Sequence, residues 1–245
     1  MSNLILVGTV HVDHKGHERL ERALHRYKPS IICLEESREG ATTSWKNHLD
    51  AMRRWDEIKD RVNLIYSPEQ VERLRIELTS SFYETWVPKV YKNGSPDVSI
   101  YCLDKPMCPE FSTELGANQR SWIINQLARG KSIQDLLSPI DTSIKDFIEK
   151  GSIDEHQSYV DRVYDETDPS DFISHYGIKL FKIATTDRDQ RFAQQIRKLH
   201  SDNSDKTIVA FLGNMHIFGN YLGNTYELLS DLCPERIKLK DVDRF

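Results

Sequence analysis

Four short apolar runs are spaced along the chain, at Asn3–Val7, Ser30–Leu34, Val98–Leu103 and Thr207–Leu212, and each stops at a cluster of polar residues. They alternate little between apolar and polar, as strands covered on both faces should. Between the first two, Leu20, Ala23, Leu24 and Tyr27 recur at helical spacing, so Gly16–Tyr27 reads as an amphipathic helix that ends before Pro29. A strand, a helix and a second strand joined this tightly predict parallel neighbours. Trp45, Leu49, Met52 and Trp55 mark a helix within 42–60, followed by a short strand at Asn63–Tyr66. Ser67-Pro68-Glu69-Gln70 supplies an N-cap, a first-turn proline and a capping-box Gln for a helix carrying Val71, Leu74, Leu78 and Phe82. Further on, the pattern predicts a helix around Leu115–Leu127 and a short strand at Leu180–Ala184. It also predicts a helix over Asp187–Leu199 with Phe192, Ala193, Ile196 and Leu199 on one face, and an edge strand within Arg236–Val242.

From Asp141 to Asp171 ten acidic residues face three basic ones with weak apolar periodicity. This reads as a helical insertion at about 138–175, a lid or an oligomer arm, against the plainer alternative of a solvated helical excursion without a role in chemistry. The expected fold is α/β: a single domain over 1–245 with a central, largely parallel sheet flanked by helices, plus that acidic insertion.

Composition narrows the picture without changing it. A chain of 245 residues can bury a core without staples. With 33 Lys and Arg against 38 Asp and Glu, nothing calls for nucleic acid as the partner. Four cysteines without a Cys-x-x-Cys pattern (Cys33, Cys102, Cys108 and Cys233) read as reduced thiols. The N-terminal apolar run lacks a basic flank and is broken by Gly8 and His11, so it reads as a strand and not a signal peptide. No window nears the roughly 18 apolar residues of a membrane span. The expectation is a cytoplasmic protein with no membrane partner, its capacity to form a homo-oligomer left open.

Candidate chemistry gathers at the strand ends. Gly8-Thr9-Val10-His11 closes the first run and Gly213-Asn214-Met215-His216 the last long one. Composition alone gives roughly 0.4 Gly-x-x-His matches by chance, and both of these fall where open α/β sheets bind ligands. Only the fold can bring His11 and His216 together. Glu35 or Glu36, ending the second run, would add a carboxylate. Two imidazoles and one carboxylate with an open position can bind a divalent ion and activate water. Adjacent strand residues point to opposite faces, so one glutamate would serve the site while the other caps the next helix. Arg38 could hold a carboxylate or an oxyanion through its planar fork. Asp104, at another strand end, could be a supporting carboxylate. Asp187 and Asp189 open a helix and suit its dipole whatever else they do. His11, Asp13, His14 and Gly16 also fit part of the metallo-β-lactamase signature, with Thr9 where its first His belongs and no preceding sheet. His14 and His17 fall near a helix start, where solvated imidazoles are the ordinary case. No phosphate loop and no Gly-x-Ser-x-Gly elbow is present.

Together these residues resemble the TraB family, the pheromone-shutdown proteins, and the related Tiki-type metalloproteases. Leu6–Val12 is similar to the family's opening Gly-Thr-x-His-Val, and Lys28–Glu35 to its Lys-Pro-Asp-Val-Val-x-x-Glu. Leu103-Asp104-Lys105-Pro106 is similar to its Asp-Arg-Pro turn, and Asp187–Ala193 to its Glu-Arg-Asp-x-x-Met-Ala helix. Leu212–His216 matches its second Gly-x-x-His. Asp187 stands where the family has Glu, Arg38 comes earlier than the family's Arg, and the C-terminal membrane helices of many members have no counterpart. The resemblance implies a metal site of His11, His216 and Glu35, making Glu35 the first choice over Glu36. Glu35 would ligate or act as general base, with Arg38 and Arg188 stabilising negative charge and Glu36, Asp104 and Asp187 in support. The ion would be Mn, Zn, Co or Fe.

The function expected is a divalent-metal-dependent hydrolase, a metallopeptidase in class, acting on a peptide or other amide or on a small-molecule substrate. The rivals are a non-catalytic peptide- or ligand-binding protein of the same fold and a metallo-β-lactamase-like hydrolase.

Overall fold

The computed structural model describes residues 3–79, 83–105 and 151–244. Five strands carry it: β1 (Leu4–Thr9), β2 (Ile31–Ser37), β3 (Ser99–Asp104), β4 (Ile208–Gly213) and β5 (Glu235–Lys238). They form one sheet in the order β3-β2-β4-β1-β5, with every pair parallel. The four apolar runs therefore lie in one sheet and point one way. β5 adds the edge strand but stops at Lys238, where a 3-10 turn (Leu239–Arg244) takes over.

One expectation is corrected. β1 and β2 are parallel but not neighbours, because β4 lies between them and pairs with both. The run Ile208–Leu212 is buried throughout. So apolar a strand is best placed where it is covered on both faces and paired on both edges.

Side chains alternate faces along each strand. Ile5, Val7, Ile32, Leu34, Val209 and Phe211 pack on one side against α1 (Gly16–Tyr27), α4 (Tyr83–Gly94) and α5 (Ile153–Val163). Leu4, Leu6, Ile31, Cys33, Ile208, Ala210 and Leu212 pack on the other. Their partners are Phe192, Ala193 and Ile196 of α7 (Thr186–Asp202) and Ile217 of α8 (Asn214–Phe218). The chain leaves β1 through α1 on the first face and β4 through α8 on the second. The strands part company there, which opens a crevice at the carboxyl edge between them.

Two short apolar runs are helical instead of extended. Asn63–Ile65 ends α2 (Arg38–Ile65), and Leu180–Ala184 is the last turn of α6 (Ser170–Ala184), a helix broken at Gly177, whose φ is 82°. Runs of four or five apolar residues fit either period, so length and neighbours decide between them. Helix α3 (Pro68–Thr79) starts as its capping box predicts, the Ser67 Oγ accepting from the Gln70 amide and the Gln70 side chain accepting from the Ser67 amide. The helix expected at Leu115–Leu127, Phe82, Cys108 and the first part of the acidic insertion lie outside the described residues. Cys33, Cys102 and Cys233 are free thiols. No described helix is long and apolar enough to cross a membrane.

The described part of the acidic stretch is not a solvated excursion. Val160 and Tyr164 are fully buried in the first-face core. Beside them Arg19 donates from Nη1 to Asp13 at 2.9 Å and to Asp161 at 2.9 Å, and from Nη2 to Asp243 at 2.6 Å. The Tyr164 hydroxyl and the Gln157 amide also donate to Asp13, at 2.8 and 3.0 Å. Removing one member of a fully buried pair leaves an uncompensated charge. Arg19→Ala should therefore cost about 3–5 kcal/mol in urea unfolding. Asp161→Ala, at a half-exposed carboxylate, should cost less than about 1 kcal/mol. Equal losses would mean that the buried Asp13–Arg19 pair is not the dominant contact of the guanidinium.

Candidate functional site

The carboxyl ends of β2, β4 and β1 lie side by side, with Leu34 opposite Phe211 and Thr9 opposite Gly213. Glu35 follows Ile31 and Cys33 in strand parity and so turns to the second face, where α7 lies. There its Oε1 accepts from Arg188 Nη2 at 2.7 Å and stands 3.5 Å from His216 Nε2. Its Oε2 accepts from the Gly213 amide. A Cβ on Gly213 would come within 3.1 Å of that oxygen, and one on Gly8 within 2.8 Å of Asn214 Oδ1. Neither glycine has a positive φ. Close approach, and not an unusual turn, is what requires them.

His216 is buried and held from its far side. Its Nδ1 lies 2.9 Å from Asp189 Oδ1. Asp189, fully buried, also accepts from the Thr225 amide at 3.0 Å, the Thr225 hydroxyl at 2.6 Å and the Tyr221 hydroxyl at 2.7 Å. Burial alone would lower the His216 pKa, but Glu35 and Asp189 outweigh it and push it up to about 9. Burial would raise the Glu35 pKa, but His216 and Arg188 hold that carboxyl well below the usual range.

His11 lies two residues beyond β1, its side chain 69% exposed, with Nδ1 2.8 Å from Glu84 Oε1 of α4. Glu84 raises its pKa, with smaller contributions from Glu35 and Glu36. His11 in turn is among the charges that hold Glu35 low, so the two ends of the chain share one electrostatic site.

No family model, curated protein or solved structure matches this chain. The likeness to TraB and Tiki proteins therefore rests on the motifs quoted above.

The remaining candidates separate. Asp104 accepts from Arg188 Nε at 2.7 Å and from Arg191, tying the end of β3 to α7. Glu36 turns the other way from Glu35, its Oε2 so close over α2 that a Cβ on Gly40 would lie 2.3 Å from it. Burial raises its pKa, with His11 pulling it down and Glu35 adding to the rise. The cap of α2 is not Glu36 but Ser37, whose Oγ accepts from the Gly40 amide at 3.0 Å. Arg38 is exposed at the start of α2, and Asp187 is exposed in the first turn of α7. Asp13 is committed to Arg19, and His14 stacks on His156 with ring centroids 4.0 Å apart. Burial and His156 lower the His14 pKa to about 3. His17 lies 6.0 Å from the Trp86 ring. Among the described residues no three His, Cys, Asp or Glu side chains are drawn together closely enough to hold an ion.

Sequence reasoning missed the two carboxylates behind the histidines. Asp189 reads as a complement to a helix dipole, yet it is the buried anchor of His216. Glu84 sits in a helix without a motif. The one available signal was the Asp-Arg-Asp stretch itself, whose second carboxylate falls two positions beyond the first and so turns inward.

The His216 pKa gives a signed expectation. It is raised above an unfolded value of 6.5, so its stabilisation is full below pH 6.5 and lost as pH rises towards 9. The thermal midpoint of the wild type should therefore exceed that of His216→Gln by most near pH 6. The gap should narrow steadily to pH 9.5. A gap that stays constant over that range would mean His216 is neutral in the folded protein.

Proposed function

We propose that this protein is a divalent-metal-dependent hydrolase acting on a peptide or other amide bond, as its resemblance to the TraB and Tiki proteins implies. The carrying observation is the 3.5 Å gap between His216 Nε2 and Glu35 Oε1. It is wider than a good hydrogen bond and about the span of two atoms each roughly 2 Å from one ion. Two imidazoles and a carboxylate suit Zn, Mn, Co or Fe. His216 and Glu35 would hold the ion, with His11 joining from the end of β1. A bound ion would polarise the amide carbonyl and lower the pKa of water.

The surrounding residues divide the remaining work by their electrostatics. A carboxylate held ionised by His216 and Arg188 is a weak base, which favours Glu35 as ligand. Glu36 has a pKa raised by burial, but it turns away from Glu35 over α2 and is not placed to serve an ion held by Glu35 and His216. Arg188 donates to Glu35, Asp104 and the Ala184 carbonyl from its three nitrogens. That commitment suits it to fixing Glu35 in place more than to meeting an oxyanion.

The second reading is a ligand-binding protein without turnover. What favours it is that both Glu35 oxygens are already engaged, by Arg188 and by the Gly213 amide.

Calorimetric titration with Mn(II) and Zn(II), followed by an amide-hydrolysis screen, separates the two. His11→Ala, His216→Ala and Glu35→Gln should each weaken metal binding by a large factor, and His17→Ala should not. Glu36→Gln should keep both its metal and its turnover, because that carboxylate turns the other way from Glu35. A wild-type protein that binds neither ion and shows no metal-stimulated turnover would leave the binding reading in place.

A further inference from the structure

Both Gly-x-x-His histidines are held in the same way from opposite faces of the sheet. His11 Nδ1 lies 2.8 Å from Glu84 of α4 on the first face, and His216 Nδ1 lies 2.9 Å from Asp189 of α7 on the second. Two approaches between histidines and carboxylates of the same helix differ in kind. His17 to Glu18, at 3.9 Å, and His25 to Glu21, at 3.8 Å, use Nε2 and are too long for hydrogen bonds. The two carboxylates are also fixed before any ligand arrives. Asp189 is pinned by Thr225 and Tyr221 as well as by His216, and the Glu84 side chain is only 14% exposed although its histidine is open to solvent. A buried carboxylate is costly unless its partners are well placed, and at Asp189 Thr225, Tyr221 and the His216 ring nitrogen all converge on the carboxylate.

Which nitrogen of a neutral imidazole keeps its proton is set by the bond the other ring atom makes. A carboxylate on Nδ1 keeps the proton there, leaves the lone pair on Nε2 and fixes the plane of the ring. At His216 that Nε2 is the atom facing Glu35. We infer that Glu84 and Asp189 are paired positioning residues that hold His11 and His216 in the Nδ1–H form, so that both present Nε2 to the shared edge. The inference rests on the reading that these two histidines act at one site, but it gives a role to Glu84, which no quoted motif contains, and to Asp189, which the quoted helix motif contains without one.

The test is ¹⁵N NMR of histidine-labelled, metal-free protein, with pH raised until both imidazoles are seen to lose their charge, and a separate titration with Zn(II) near neutral pH. The wild type should show Nδ1 protonated and Nε2 bare at both positions. Glu84→Ala should release His11 from that form and leave His216 unmoved, and Asp189→Asn should do the reverse. Each should lower Zn(II) affinity by about 10–100-fold. If Asp189→Asn fails to fold, the wild-type spectrum and Glu84→Ala still decide. A bare Nδ1 in the wild type overturns the inference. So do variants that keep both tautomer and affinity while His11→Ala and His216→Ala lose the metal. If those two alanine variants bind Zn(II) as the wild type does, the hydrolase reading fails instead, and the positioning role stands or falls on the spectra alone.

Discussion

Between β1 and β4 the chain leaves the sheet towards opposite faces, and the geometry of the site follows from that divergence. α1 carries the chain from β1 across the first face, and α8 carries it from β4 across the second. The pairing of Thr9 with Gly213 fixes the two departures at the same height on the carboxyl edge. His11 and His216 then stand on either side of one crevice although 205 residues separate them in sequence. β2, paired with β4 on its other edge, brings Glu35 to the same level. Displacing β4 from its central place would separate all three residues at once, because no local contact joins them.

The second-face half of the site is a chain of alternating charge. Asp104, Arg188, Glu35, His216 and Asp189 follow one another in contact, with Arg191 beyond Asp104. Each member is mostly buried, and desolvation opposes every charge in the row. Each charge in the row has an opposite one beside it, which is why Glu35 is held low while His216 is held high. Apolar side chains of similar volume would pack at least as well. A perturbed, linked set of titratable groups in a crevice is the pattern expected of a functional site.

The sheet was legible because its strands are buried on both faces and so appear as unbroken apolar runs. The order of those strands was not, since nothing in Ile208–Leu212 says that it inserts between two strands from the start of the chain. Asn63–Tyr66 and Leu180–Ala184 misled because a short apolar run carries no period of its own, and each instead extends a preceding helix. In the candidate site, His11, His216 and Glu35 were legible because they lie at or just past the carboxyl ends of strands, where geometry restricts what a side chain can reach. Arg188 was legible only through resemblance. Glu84 and Asp189 were hidden for the opposite reason: they come from helix interiors and first turns, where a carboxylate has an ordinary explanation in solvation or in the dipole.

The acidic stretch that looked dispensable in sequence also bears on the site. Two of its described charges are matched: Asp161 meets Arg19, and Asp165 meets Lys238 at 2.8 Å and Lys240 at 2.6 Å. The Asp165 pairs are exposed on the acidic side and contribute little by themselves. The stronger tie runs along α5. Gln157, and Tyr164 just past its last residue, donate to Asp13, and His156 Nε2 approaches the Val12 carbonyl at 3.3 Å. Val12 and Asp13 are the residues directly after His11. The loop that presents His11 is therefore held from beneath by Arg19 of α1 and from the side by α5. Glu84 only has to orient a ring whose backbone is already in place. An exposed histidine on an untethered loop would sample many positions. Packing the acidic helix against that loop restricts them, and it does so without covering the imidazole itself.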